Sequence, residues 1–92
     1  MFLFKYRIIV KGFIMSYTTE LVDEINVLIL FDISNSQEGI KVHTSAGDDS
    51  IEATKRLFEK GLITQKDGGY LTGLGVDAAE HAQSLLTILT TD

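Results

Sequence analysis

Apolar residues between Thr19 and Asp32 return every three or four positions, which sets Leu21, Val22, Ile25, Leu28 and Ile29 along one face of a helix. That face belongs to a core. The second half of the same helix, "NVLILFDI", carries Val27, Leu30 and Phe31 on the opposite side. A helix that is apolar almost all round is usually covered twice, by its own domain and by a second layer or a second chain. The pattern then breaks at "SNSQEG", and "IKVH" alternates Ile40 and Val42 with Lys41 and His43, as a short half-buried strand does. After "TSAGDDS", Asp49 stands three positions before Glu52 and reads as the N-cap of a second helix, about Ser50 to Lys60, that buries Ile51, Thr54, Leu57 and Phe58.

Gly61 is suited to the left-handed conformation that ends this second helix, with Leu62 beyond it touching Leu57. Leu62 to Gln65 and Tyr70 to Thr72 then predict two strands of a hairpin joined through Lys66-Asp67-Gly68-Gly69. Thr72 can cap a last helix, about Gly73 to Thr90. On a helical wheel Ile88, Leu74, Leu85, Ala78, Leu89, Ala82, Leu86 and Ala79 follow one another across about half the circumference. The alanines would let another helix approach closely, and the leucines add bulk. Val27, Leu30 and Phe31 of the first helix and Ala82, Leu86 and Leu89 of the last are therefore the expected surface of a homodimer.

Three helices and a small antiparallel sheet make an α+β fold, and no proline-rich linker, repeat or low-complexity run divides it. Residues 15–92 form the expected single domain. Met15-Ser16-Tyr17-Thr18-Thr19-Glu20 looks like an ordinary protein beginning, with Thr18 placed to cap the first helix and Glu20 in its first turn. Residues 1–14, "MFLFKYRIIVKGFI", have two readings: an edge strand with alternating Phe2, Phe4, Tyr6 and Ile8, or translated sequence upstream of the domain. We place them outside the core. They are too interrupted by charge to span a bilayer and lack the pattern of a secretion signal, so the expected location is cytoplasmic, without membrane contact.

Charge changes the picture of partners. The formal net charge is −5, but Lys5, Arg7 and Lys11 all lie in the first 14 residues; from Met15 onward five basic residues face 13 acidic ones, a net of −8. Nucleic-acid affinity rests on cations meeting phosphates, which a globally acidic domain opposes. Without cysteine there is no disulfide or thiolate chemistry, and stability must come from packing, helped by oligomerisation.

The order helix, short strand, helix, hairpin, helix is that of a winged-helix domain with one helix shortened or lost. More narrowly, "LFEKGLITQKDGGYLTGLG" resembles the wing region of regulators of the multiple-antibiotic-resistance repressor type, through Leu57, Gly61, Leu62, Ile63, Leu71, Thr72 and Gly75. From Met15 to Asp92 the chain is also similar to a small family of bacterial proteins without an assigned activity, in "SQEGIKVH", "KGLIT", "DGGYLT" and "AAEHAQSLLTIL". The winged-helix resemblance implies gene regulation, with the second helix reading DNA and the hairpin as a wing.

On that expectation Lys55, Arg56 and Lys60 face the groove and Lys66 touches phosphate from the wing. Against it, Glu52 lies four positions from Arg56 and Lys55 four from Glu59, so the cations have local partners. The alternative is an acidic homodimeric protein-interaction module that does not bind DNA directly. His81, four positions after Asp77, is expected to be a locally bonded histidine at a packing boundary, and His43 an outward side chain. Asp48, Asp49 and Glu52 lack a full cation ligand set. The expectation is a non-enzyme with no metal and no cofactor, whose partners are a second copy, DNA or a regulatory protein.

Overall fold

A computed structural model describes residues 16–35 and 37–91; the segment 1–14 lies outside the described residues. Helix α1 spans Thr19–Ile29, strand β1 Ile40–Lys41, helix α2 Asp48–Glu59, strands β2 and β3 Ile63–Gln65 and Gly68–Leu71, and helix α3 Gly73–Thr90. Thr18 caps α1 as expected, its hydroxyl accepting the Leu21 N–H at 3.2 Å. The core-facing stripe of α1, however, is Glu24, Val27 and Leu28, continued by Phe31 past the helix end. That corrects the expected face: Val22 is exposed, and Val27 and Phe31 lie in the core, not on an outer surface. The stripe has the spacing i, i+3, i+4, i+7 and was hidden by an acid at its first position.

Between α1 and β1, the described residues of "SNSQEG" are not helical. Asp32 accepts the Ser34 N–H and hydroxyl, and the Asn35 side chain accepts the Gln37 N–H, so two side-chain-supported turns carry the chain round. The strand expected over "IKVH" ends at Lys41, although the Val42 N–H still donates to the Asp67 carbonyl at 2.8 Å. A single 3-10 turn, Thr44–Ala46, follows. It stands where a complete winged-helix domain has another helix, so the architecture is α+β and winged-helix-like with that element reduced to one turn.

The N-cap of α2 is Gly47, not Asp49: the helix begins at Asp48, and the acids Asp48 and Asp49 occupy its first turn, where they favour the positive end of the helix dipole. The capping box expected from Asp49 and Glu52 is thus replaced by dipole compensation. At the other end, the Leu62 N–H donates to the Leu57 carbonyl at 2.9 Å and the Gly61 N–H to that of Phe58 at 3.0 Å, with Gly61 at φ +81. This is the Schellman ending the sequence predicts. It turns the chain into the hairpin.

The sheet has the order β1-β3-β2, all antiparallel, with Ile40 opposite Gly69 and Ile63 opposite Leu71. Gly68 and Gly69 therefore belong to the central strand, not to the hairpin loop, which is Lys66-Asp67. Their positive φ values accompany a register shift against β2, across which the Thr64 hydroxyl accepts the Tyr70 N–H at 3.0 Å. Thr72 ties the strand to α3: its hydroxyl accepts from the Gly75 N–H at 3.0 Å and donates to the Gly61 carbonyl at 2.7 Å, while its own N–H donates to the Leu62 carbonyl. The core gathers Val27, Leu28, Phe31, Ala53, Leu57, Ile63 and Ala79. Thr54 is also fully buried and satisfies its hydroxyl by donating to the Ser50 carbonyl.

Candidate functional site

The α2 side chains proposed to meet DNA divide into two groups. Arg56 and Lys60 are one turn apart and reach across to α1, where both end on the carboxylate of Glu24. The Arg56 Nε donates to Glu24 Oε2 at 2.8 Å and the Lys60 Nζ to Oε1 at 2.5 Å; a second Arg56 nitrogen donates to the Glu20 carbonyl at 3.2 Å. Glu24 is only 5% exposed. Burial alone would raise its pKa, but the hydrogen bonds and charges of Lys60 and Arg56 outweigh that and hold it below its ordinary value. Arg56, bonded to the same carboxylate, is held more firmly protonated still.

Lys55 is exposed and pairs with Glu52 at 3.2 Å. The local pairs expected by four-residue spacing are corrected accordingly: Glu52 takes Lys55, three positions on, and Arg56 takes Glu24 from another helix. Buried Ala53, Thr54 and Leu57 point inward, which leaves Asp48, Asp49, Glu52, Lys55 and Glu59 as the exposed face of α2. That face is acidic. Lys66 is exposed in the hairpin loop beside Asp67. Lys41, opposite Gly68 at the same end of the sheet, is exposed too, and among the described residues no ion pair holds either lysine. Sequence spacing did not single out Lys41 because only strand pairing brings it beside the hairpin loop.

Of the residues expected at a dimer surface, Val27 and Phe31 are 2% and 3% exposed and are unavailable to a second chain. Leu30 is exposed but borders a hollow with Val27, Ile40 and Val42, on the β1 side. Leu86 and Leu89 are exposed and Ala82 is half-buried on α3. His81 has its Nδ1–H donating to the Asp77 carbonyl at 2.7 Å, so it pairs with backbone and not with the Asp77 carboxylate. His43 is exposed ahead of the 3-10 turn. Among the described residues no group of three His, Asp or Glu side chains could hold a metal, and no helix is long and apolar enough to cross a membrane.

The seven residues behind the regulator resemblance form one junction: the Leu57 and Gly61 helix ending, Leu62 and Ile63 leading into β2, and Leu71, Thr72 and Gly75 closing onto it. Their spacing is accounted for by that contact, whatever the partner. No curated protein and no solved structure matches the chain. Residues 15–90, which include all three helices and the sheet, match the model of DUF5669, a family of unknown function, and the chain belongs to that family.

Proposed function

We propose that the domain is an acidic, homodimeric protein-interaction module of winged-helix-like build, and that α2 does not read DNA. The observation that carries this is the capture of Arg56 and Lys60 by Glu24. Two of the three α2 cations are committed to holding α1 against α2, the third is paired with Glu52, and the remaining exposed groups of the helix are carboxylates. A phosphate backbone approaching that face meets like charge, which lowers affinity and association rate alike. A basic or apolar protein surface meets no such barrier.

A second reading, a DNA-binding regulator, is favoured by the element order and by Lys41 and Lys66 at one end of the sheet. Fluorescence anisotropy with mixed-sequence duplex DNA at low salt separates the two. The interaction module predicts no saturable binding even at high micromolar protein. Binding that falls steeply with salt and is lost in the Lys41→Glu/Lys66→Glu double variant would overturn it in favour of the wing.

A further inference from the structure

α3 carries two faces with different repeats. Toward the core, Gly75 and Ala79 are buried, and the Gln83 amide donates to the Phe31 carbonyl at 3.0 Å, which fixes the helix against the end of α1. Along the adjoining face, Leu74, Ala78, His81, Leu85 and Ile88 succeed one another at intervals of four, three, four and three residues, with Ala78 half-buried where it also packs against the core. An average spacing of 3.5 is the signature of a seam that meets a second helix along its length. Among the described residues no helix covers the seam beyond Ala78: Leu74 is 60% exposed, Leu85 42% and Ile88 70%, and His81 is exposed between them. Ala78 and Leu85 also border a hollow of about 420 Å³ shared with Tyr17, Ile25 and Leu28.

Charge narrows the occupant. From His81 to Thr90 the helix has no Asp, Glu, Lys or Arg, whereas the chain as a whole has a net charge of −5. This is a surface on which two copies of an acidic chain can meet without opposing like charges. Size sets the direction. On the N-terminal side of His81 the stripe has small Ala78, with Ala82 beside it, whereas on the C-terminal side the matching position is bulky Leu85; Leu74 and Ile88 are the large residues at the two ends. Small against large needs the two helices to run in opposite directions. That direction also sets Asp77 and Glu80 against the uncharged half of the other helix and not against their own copies.

We propose, building on the homodimeric module described above, that α3 packs antiparallel against α3 of a second copy through Leu74, Ala78, His81, Leu85 and Ile88. His81 is then the polar member of an apolar seam, which lowers affinity while restricting register.

Sedimentation equilibrium of the full chain, at tens of micromolar, should give twice the chain mass, and Leu85→Glu with Ile88→Glu should give the chain mass with an unchanged circular dichroism spectrum, because both sites are solvent-exposed in the single chain. His81→Leu should tighten the dimer by roughly tenfold or more. The native chain contains no cysteine, so a mixture of Leu74→Cys and Ile88→Cys chains should form a disulfide-linked dimer on mild oxidation, and neither variant alone should. Self-linking of each variant alone would mean a parallel pair and overturn the proposal. A dimer that survives the two glutamates would overturn the α3 interface and leave the homodimer reading standing. A wild-type monomer at these concentrations would remove both.

Discussion

Replacing the Glu24 carboxylate with the isosteric amide of glutamine would leave Arg56 and Lys60 converging on a neutral group. Removing one partner of a buried pair leaves the others unmatched, but Arg56 and Lys60 side chains are 31% and 47% exposed and can rehydrate. Glu24→Gln is therefore expected to destabilise the domain by about 1–2 kcal/mol, and thermal melting should register about 4–8 °C for each kcal/mol. The same carboxylate sets an acid limb. Its folded pKa lies below the ordinary 4.5, so the unfolded chain binds the proton more readily. The pair's stabilisation is present above about pH 4.5 and is lost as pH falls through the folded value. Asp32, lowered by its hydrogen bonds from Ser34, acts in the same direction. The difference between wild type and Glu24→Gln, followed by urea unfolding from neutral pH to pH 3, should shrink toward zero at the acid end; a difference that stays constant would mean the carboxylate charge contributes nothing.

Two glycines of α3, only two positions apart, are expected to behave oppositely. At Gly75 a Cβ would sit 1.9 Å from the Leu62 carbonyl oxygen, a backbone atom that the Thr72 N–H already holds in place. Gly75→Ala must push the hairpin and α3 apart and should cost about 2 kcal/mol or more. At Gly73 nothing lies within 4 Å, and alanine there should stabilise by about 0.4–1 kcal/mol by restricting the unfolded chain. Chemical denaturation of both variants checks the contrast. Equal effects would mean that the junction between strand and helix is looser than its hydrogen bonds imply. The Schellman ending at Gly61, the capping Thr72 and the presence of the hairpin were legible, because each depends on residues close together in the chain, although Gly68 and Gly69 belong to β3 and not to the loop. The face that α1 buries was legible only in part: Leu28 was expected there, but Glu24, Val27 and Phe31 were not. Its stripe begins with Glu24, and an acid enters a core stripe only when another element supplies the counter-charge.

Across the whole molecule the cations have unequal duties, and charge reversal should expose this. Lys41→Glu and Lys66→Glu remove side chains that hold no described ion pair and should change stability by less than about 0.5 kcal/mol. Arg56→Glu would set a second carboxylate against Glu24 and should destabilise far more. Similar losses in all three variants, measured by thermal melting, would contradict a structural role for Arg56. The candidate site divides along the same line. Exposed Lys55 and Lys66 could be placed at the surface from sequence, but the duty of Arg56 and Lys60 could not, since their partner lies 32 and 36 residues away. Of the residues expected to meet a second copy, Leu86 and Leu89 are exposed, whereas Val27 and Phe31 are consumed by the core.

What the chain determined by itself is the order and type of its elements and the chemistry of its turns, since helix periodicity, capping hydroxyls and left-handed glycines act over a few residues. What only the tertiary structure decided is which side of each helix is inside and which charges are spent. Burial of Glu24 depends on two cations arriving from α2, and that arrival selects Val27, Leu28 and Phe31 as the core face of α1. It also engages Arg56 and Lys60 with Glu24, and leaves α2 with an acidic exposed face.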